Sequence, residues 1–374
     1  MGEARSRRRH RADRLALDTE PDRFDCPDAI AGHGRPDPAA TFAAPGMFGE
    51  PRADFDVYGA GTRLNAFEAR IAALLGKDAA LFMPSGTMAQ QIALRIVADR
   101  DGLRTFAAHP TNHLTLHERD GAARLHGLHL VPLGSIVAPM TLADLQQLAE
   151  PVATLLIELP QRELGGLLPG WDELAAWTEC ARDRGWHLHL DGARLWESAP
   201  YYGRSYAEIA ALFDSVYVSF YKGIGAIAGA MLCGSHPLIE EARIWQRRHG
   251  GNLVALYPYA NAAELAFDLR IGRMPAYCEA ARWLAEIVAA MPGTLRVQPT
   301  PPPANMFHAY LTVPPDVLRE RIARIAREHG VWTIQRTLPS AIGGIVKWEI
   351  SAGDATIALA PERARVVLEQ LLAG

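Results

Sequence analysis

Two stretches decide the fold: His187-Leu188-His189-Leu190-Asp191-Gly192-Ala193-Arg194 and, with its lysine thirty-one positions after Asp191, Ser219-Phe220-Tyr221-Lys222-Gly223-Ile224-Gly225-Ala226. Each reads as a strand that stops at a polar residue and turns. The first is an apolar run ending on an acid, and the second brings an amine into a glycine-rich turn. In an open parallel sheet, ligands collect just beyond the carboxyl ends of the strands. An acid and an amine at two strand ends would therefore face one crevice.

The chain on either side supports a sheet of this kind. Ala153–Glu158 reads as an apolar strand, 172–184 as a helix closed by Gly185, and His187–Leu190 as the next strand. Strands alternating with helices of this length predict a parallel α/β sheet. Upstream, Leu64, Phe67, Ile71, Leu74 and Leu75 recur at helical spacing, with Gly76 closing the helix. Ala79–Met83 follows as a short strand, Pro84-Ser85-Gly86-Thr87 breaks it, and a helix resumes at Met88. Downstream, the prolines at 299, 301, 302 and 303 mark a boundary before further strands at 306–313, 331–334 and 345–350 and helices at 316–329 and 361–372. The expected organisation is a basic tail and lead-in at 1–54, a large domain at 55–260, and a smaller α/β C-terminal domain at 261–374.

Composition limits the partners. The 374 residues are 49% hydrophobic with a net charge of −4, which gives no electrostatic case for nucleic acid. No apolar run approaches the roughly 18 to 20 residues of a membrane span. Cys26, Cys180, Cys233 and Cys278 are far apart with no CxxC, which fits a reducing cytoplasm better than a disulfide framework or a zinc site. The Arg5–Arg11 run lacks the apolar core of a secretion signal and reads as a solvated tail. His109, His113 and His117 are spaced by four, but Pro110 argues against one helix carrying all three. No metal site is expected.

One chemistry needs an acid and an amine together at a crevice. Pyridoxal phosphate is held covalently by a lysine, and a carboxylate keeps its pyridine nitrogen protonated. Lys222 and Asp191 are the candidates. The Ser85-Gly86-Thr87 turn opening a helix would present backbone N–H groups and the helix dipole to a phosphate. The alternative for Ser85 or Thr87 is ordinary N-capping. His113, in a loop after a strand, is placed to stack on a cofactor ring.

These residues carry a family resemblance. His189 to Leu195, Ser219 to Gly225, Val57-Tyr58-Gly59, Leu74 to Ala80, Pro84 to Ala89, Asn112-His113 and Glu118 to Ala123 resemble the threonine aldolase group of the β-eliminating lyase families. The resemblance covers roughly 55 to 235 and weakens beyond about 260. It implies the pyridoxal-phosphate-dependent transferase fold of type I, with a mostly parallel, seven-stranded type of sheet flanked by helices. It implies that Lys222 holds the cofactor and Asp191 pairs with its ring nitrogen. Arg194 would bind the substrate carboxylate or the ring's phenolate oxygen, and His113 would stack on the ring and is, with a water molecule or the phosphate, a candidate for the catalytic base. Ser85, Gly86 and Thr87, with Ser219, would hold the phosphate.

The departures are specific. Where the family carries Glu-Asn-Thr-His-Asn, this chain has Glu158-Leu159-Pro160-Gln161-Arg162. Gln161 replaces a candidate proton-handling histidine. It is able to hydrogen-bond a β-hydroxyl but not to take its proton at neutral pH. Arg162 is a candidate new anion contact. The family's glycine-rich arginine motif reads Gly250-Gly251-Asn252-Leu253-Val254, with Arg247 or Arg248 as substitutes for its arginine. Lys347, or Arg336, stands nearest to a late carboxylate-binding arginine. The resemblance implies cleavage of a β-hydroxy-α-amino acid to glycine and an aldehyde, in a homodimer or homotetramer. β-Elimination, glycine transaldolase chemistry and a non-catalytic binding protein of the same fold are the alternatives. A dehydrogenase is disfavoured, because no GxGxxG follows the first strand.

Overall fold

Strand β6 (His187–Gly192) lies at the centre of a seven-stranded sheet in a computed structural model of the chain. The structure describes residues 26–34, 37–44, 55–335, 337–338, 340 and 342–373, and the basic tail lies outside them. A short strand, β1 (Asp28–Ala29), comes first in the chain. The large sheet comprises β2 (Ala79–Met83), β3 (Thr105–Ala108), β4 (His129–Pro132), β5 (Thr154–Glu158), β6, β7 (Ser215–Ser219) and β8 (Ala230–Gly234), in the order β2-β8-β7-β6-β5-β3-β4. β8 runs against both of its neighbours, and the other pairings are parallel. The mostly parallel α/β sheet predicted from the sequence is present. β4 was not foreseen, because His129-Leu130-Val131-Pro132 is too short and mixed to show a period.

The chain divides into two units, one spanning 38–274 and the other joining the residues before 38 to 275–374. The division at 274/275 lies beyond the expected boundary near 260, which falls inside the helix Tyr257–Arg270. That helix packs on the helix Thr62–Leu74 of the larger unit, with Arg63 Nε on Glu264 Oε2 at 2.9 Å. The start of the larger unit is tied down by the buried carboxylate of Asp56. It accepts from the backbone N–H groups of Leu256 (2.9 Å), Tyr257 (2.6 Å) and Gly59 (3.2 Å). Under the sheet, Phe67, Phe82, Trp196, Phe220 and Phe267 form an aromatic cluster with neighbouring centroids 5.1–6.4 Å apart.

The smaller unit is built on an antiparallel sheet of β9 (Thr294–Gln298), β10 (Met306–Leu311), β12 (Thr337–Leu338) and β13 (Val346–Ser351), ordered β12-β13-β10-β9. The helices Met274–Ala289, Pro315–His329 and Pro361–Leu372 supply apolar faces to a core that includes Leu284, Phe307, Ile325, Trp348 and Leu368. β1 belongs here, pairing in parallel with β11 (Val331–Trp332). Part of the expected lead-in segment is therefore a strand of this unit. Among the described residues, no helix is long and apolar enough to cross a membrane.

Candidate active site

The carboxyl ends of β5, β6 and β7 build the site. β6 delivers Asp191 because His187 and His189 anchor the strand. Their ring nitrogens share the Ser215 hydroxyl of β7, each at 2.8 Å. Both rings are buried, and burial pushes their pKa values down to about 4 and about 3. They are neutral struts of the sheet. Asp191 is almost fully buried, and its Oδ1 accepts from the Ala193 N–H at 3.1 Å. Burial raises its pKa, against the pull of Lys222 and His113.

Lys222 stands in the turn after β7. Burial lowers its pKa below the ordinary lysine value, opposed by Asp191 and assisted by Arg194. The lysine turn is seated on Glu197, a fully buried carboxyl raised by burial. A Cβ at Gly223 would lie 1.7 Å from Glu197 Oε1, so only glycine allows this approach. Glu197 also stands 4.0 Å from Arg194 Nη1. The Arg194 Nε is buried without a hydrogen-bond partner among the described residues, a donor left for a ligand.

The turn after β2 begins the helix Gly86–Asp101. Ser85 Oγ caps it, accepting from the Met88 N–H at 3.4 Å, so the capping reading of Ser85 is realised. Gly86 packs against Tyr217 of β7. A Cβ there would meet the Tyr217 Oη at 1.8 Å. The Gly86 N–H donates to the Tyr221 Oη at 3.1 Å, and Tyr221 and Tyr217 share a further bond of 3.1 Å. The two tyrosines thus fix the helix start to the strand that carries Lys222.

His113 opens the short helix His113–His117, which Asn112 caps through the Thr115 N–H at 3.1 Å. Its Nδ1 pairs with the buried Glu118 Oε1 at 3.0 Å, and Gln91 Nε2 donates to Glu118 Oε2 at 2.7 Å. This sets the ring's orientation and tautomer. Ser219 is buried, and its hydroxyl donates to the Ala193 carbonyl at 2.8 Å. Its proton is thereby spent on holding the Asp191–Arg194 turn.

The β5 turn differs from the sequence reading. Gln161 directs both amide N–H groups inward, to Glu158 Oε2 (3.1 Å) and Thr111 Oγ1 (3.3 Å). Arg162 is buried, with its Nη1 on Glu163 Oε1 (3.0 Å) and His117 Nε2 (3.1 Å). Lys347 lies on β13 of the smaller unit, opposite Tyr310 and Leu338. Arg336 lies outside the described residues. Arg247 and Arg248 are exposed at the end of the helix His236–Arg248, with Arg248 over the Trp245 ring at 4.4 Å and Arg247 over Tyr58 at 5.8 Å. Among the described residues, no group of three or more His, Cys, Asp or Glu stands together as a metal site would.

Sequence reading passed over Glu158, Glu118, Gln91, Glu197, Tyr217 and Tyr221. For Glu158 a signal existed: an apolar strand ends on an acid there, as at Asp191. The other five act through contacts far apart in sequence.

The donor set fits pyridoxal phosphate. A buried carboxyl and a half-buried amine stand within electrostatic reach of each other at the ends of β6 and β7, and an unpartnered guanidinium N–H stands beside them.

A model of the β-eliminating lyase family matches residues 47–311. The chain is 36% identical over 214 residues to the aldolase vrtJ of Penicillium aethiopicum, covering 54% of this chain and 53% of that protein. It thus spans about half the length of that relative. It is 30% identical over 246 residues to the low specificity L-threonine aldolase of Escherichia coli K12, covering 64% and 73%. Among solved structures, a Listeria monocytogenes protein provisionally named an L-allo-threonine aldolase superposes with a TM-score of 0.88 at 42% identity, over 94% of this chain and 97% of that one. A serine palmitoyltransferase of Sphingomonas wittichii shares the fold, with a TM-score of 0.69 at 15% identity over 100% and 96%.

Proposed function

The chain belongs to the β-eliminating lyase family, and on that footing we propose that it is a pyridoxal-phosphate-dependent aldehyde lyase, cleaving the Cα–Cβ bond of a β-hydroxy-α-amino acid to glycine and an aldehyde. The observation that carries this reading is the coupled pair of buried Asp191 and half-buried Lys222 beyond neighbouring strands. The threonine aldolase names of its relatives support it.

When bound, the cofactor supplies an electron sink for the pair released at Cα. The chain's own residues do the rest. Lys222 holds the cofactor through its amine, which burial keeps more readily neutral than a surface lysine. Asp191 holds a proton on the ring nitrogen. The first turn of the helix Gly86–Asp101, through its dipole and Thr87, receives the phosphate, while the Gly86 and Met88 N–H groups are bonded to Tyr221 and to the capping Ser85. Ser219 serves the phosphate indirectly, by fixing the turn that carries Asp191 and Arg194. His113, oriented by Glu118, covers one ring face. Arg194 binds the substrate carboxylate or the phenolate oxygen, and Arg162 is assigned to the substrate. Gln161 keeps only its amide oxygen for a β-hydroxyl.

The substrate is a small molecule, an amino acid. We assign the active form to a homodimer or homotetramer. Phe55, Val57, Tyr58, Leu253 and Val254 are exposed, and the Tyr58 N–H donates to the Val254 carbonyl at 3.0 Å, so these apolar side chains form a patch suited to a second copy. The four cysteines are free thiols, which supports a cytoplasmic location. β-Elimination and transaldolase chemistry are less favoured, because the relatives that supply the identity are named as aldolases.

The test is a product assay on cofactor-loaded protein with L-threonine, L-allo-threonine, phenylserine and their D-forms. Glycine and aldehyde are expected, and both are lost in Lys222→Ala together with the visible band of the lysine-held cofactor. A visible band without glycine from any of these substrates overturns the aldolase reading.

A further inference from the structure

Cleavage of a β-hydroxy amino acid needs a group to take the β-hydroxyl proton, and Gln161 is unable to do so. The other titratable groups around the crevice are already committed. His113 has its Nδ1 on Glu118 and its ring assigned to the cofactor face, His117 Nε2 is held by Glu163, and Glu197 lies under Gly223. Glu158 remains.

We propose that Glu158 is a catalytic proton carrier of this site, positioned by Gln161 and the Arg162 backbone. The proposal rests on the aldolase reading given above.

Three observations converge on Glu158. First, β5 and β6 pair in parallel with Glu158 opposite Asp191, so the two carboxyls leave the sheet on the same face at adjacent strand ends. Both lie within electrostatic reach of the Lys222 amine. Second, the carboxyl is aimed. The Arg162 N–H donates to Oε1 at 3.1 Å and Gln161 Nε2 to Oε2 at 3.1 Å, while Thr111 Oγ1 takes the second Gln161 N–H and is itself bonded to His109 Nδ1 at 2.8 Å. This polar chain from the β3 loop fixes the side chain without neutralising it by an ion pair. Third, two carboxylates side by side in a poorly solvated site do not both stay ionised. Asp191 has Lys222 as its counter-charge, so the shared proton rests on Glu158.

The groups facing Glu158 are Asp191 from β6, Lys222 from the turn after β7, and Arg162 from its own loop. Burial and Asp191 outweigh the two cations and lift its pKa to about 8. A general base works best when its pKa lies near the operating pH.

The step balances. As the Cα–Cβ bond breaks, its electron pair goes to Cα, the β-carbon becomes a carbonyl, and the β-hydroxyl proton passes to a Glu158 oxygen. Glu158 then returns that proton to Cα, giving glycine and regenerating the carboxylate. No external oxidant or reductant enters.

The test compares wild type, Glu158→Gln and Glu158→Asp as cofactor-loaded enzymes. In wild type, kcat/KM for glycine release is expected to rise with pH through a midpoint near 8. In Glu158→Gln, kcat is expected to fall by about 100-fold or more, the scale of a lost general base. That limb should disappear, while the visible band of the bound cofactor is kept. Glu158→Asp should restore the limb with part of the rate. Independently, the infrared difference between wild type and Glu158→Gln at pH 7 should show one protonated carboxyl that titrates away near pH 8. A Glu158→Gln enzyme within about threefold of wild type, or a pH limb unchanged in it, overturns the proposal, and so does the absence of the infrared band. Wild type that releases no glycine, with its cofactor band intact, overturns the aldolase reading first and this proposal with it.

Discussion

Replacing Gly86 by alanine tests the tie between the helix start and the sheet. The added Cβ would lie 1.8 Å from the Tyr217 Oη, 2.2 Å from Cζ and 2.7 Å from Cε2. Tyr217 is only 1% exposed and has no free volume to retreat into. Either the ring or the first turn of the helix must move. Overpacking of this kind costs about 1–3 kcal/mol. Movement also breaks the Gly86–Tyr221 and Tyr221–Tyr217 bonds, worth about 0.5–1.5 kcal/mol each. The better helix propensity of alanine offsets up to ~1 kcal/mol. The expected net loss is about 3 kcal/mol, read as a lower denaturation midpoint with an unchanged slope. Because the same turn is proposed to receive the phosphate, cofactor affinity should weaken at least about tenfold, equivalent to ~1.4 kcal/mol. Denaturant unfolding of the cofactor-free protein and titration of its visible band with pyridoxal phosphate measure the two effects. Adding Tyr217→Phe should not rescue the variant, since the ring carbons at 2.2 and 2.7 Å remain. Wild-type stability and affinity in Gly86→Ala, or full rescue by Tyr217→Phe, would refute the reasoning.

Gly223→Ala drives a methyl group into Glu197 Oε1 at 1.7 Å and should displace the lysine turn, lowering kcat for glycine release by at least about tenfold; Glu197→Ala in the same chain should recover part of it. Asp191→Ala removes the proposed ring-nitrogen partner and should reduce turnover by about a thousandfold, the scale of one lost preorganised electrostatic contact, while circular dichroism stays unchanged. Burial lowers the Lys222 pKa, so the neutral amine is populated from a lower pH than in a surface lysine; stopped-flow rates of cofactor capture should level off below the ordinary lysine value of 10.5. Val254→Glu places a charge in the exposed apolar patch and should shift the protein toward monomer in sedimentation velocity without loss of secondary structure.

Local features of this protein were legible in its sequence. Asp191 and Lys222 announce themselves because each stands at or just after the end of an apolar strand and is followed by glycine, and strand ends are where a parallel sheet gathers its ligands. The Ser85-Gly86-Thr87 turn was equally plain, being a strand, a break and a helix in immediate succession. The alternation of strands and helices specified a parallel α/β sheet, and the ordered motifs specified the family.

Only the tertiary structure decided how those residues are held and which of them have hydrogen bonds to spare. Gly86 needs to be glycine because of a tyrosine on β7, 131 positions away, and Gly223 because of a carboxyl on the turn after β6. The Gln161 amide N–H groups go to Glu158 and Thr111, partners that its place in the sequence does not show. Glu158 looked like the end of a strand, yet the β5–β6 register sets it opposite Asp191, and burial with that neighbour raises its pKa. Strand β1 joined the smaller unit through a partner some 300 positions away. The physical reason is common to all of these. Period and turn chemistry act over a few neighbouring residues, whereas register, burial and charge coupling depend on strands that meet only once the chain has folded.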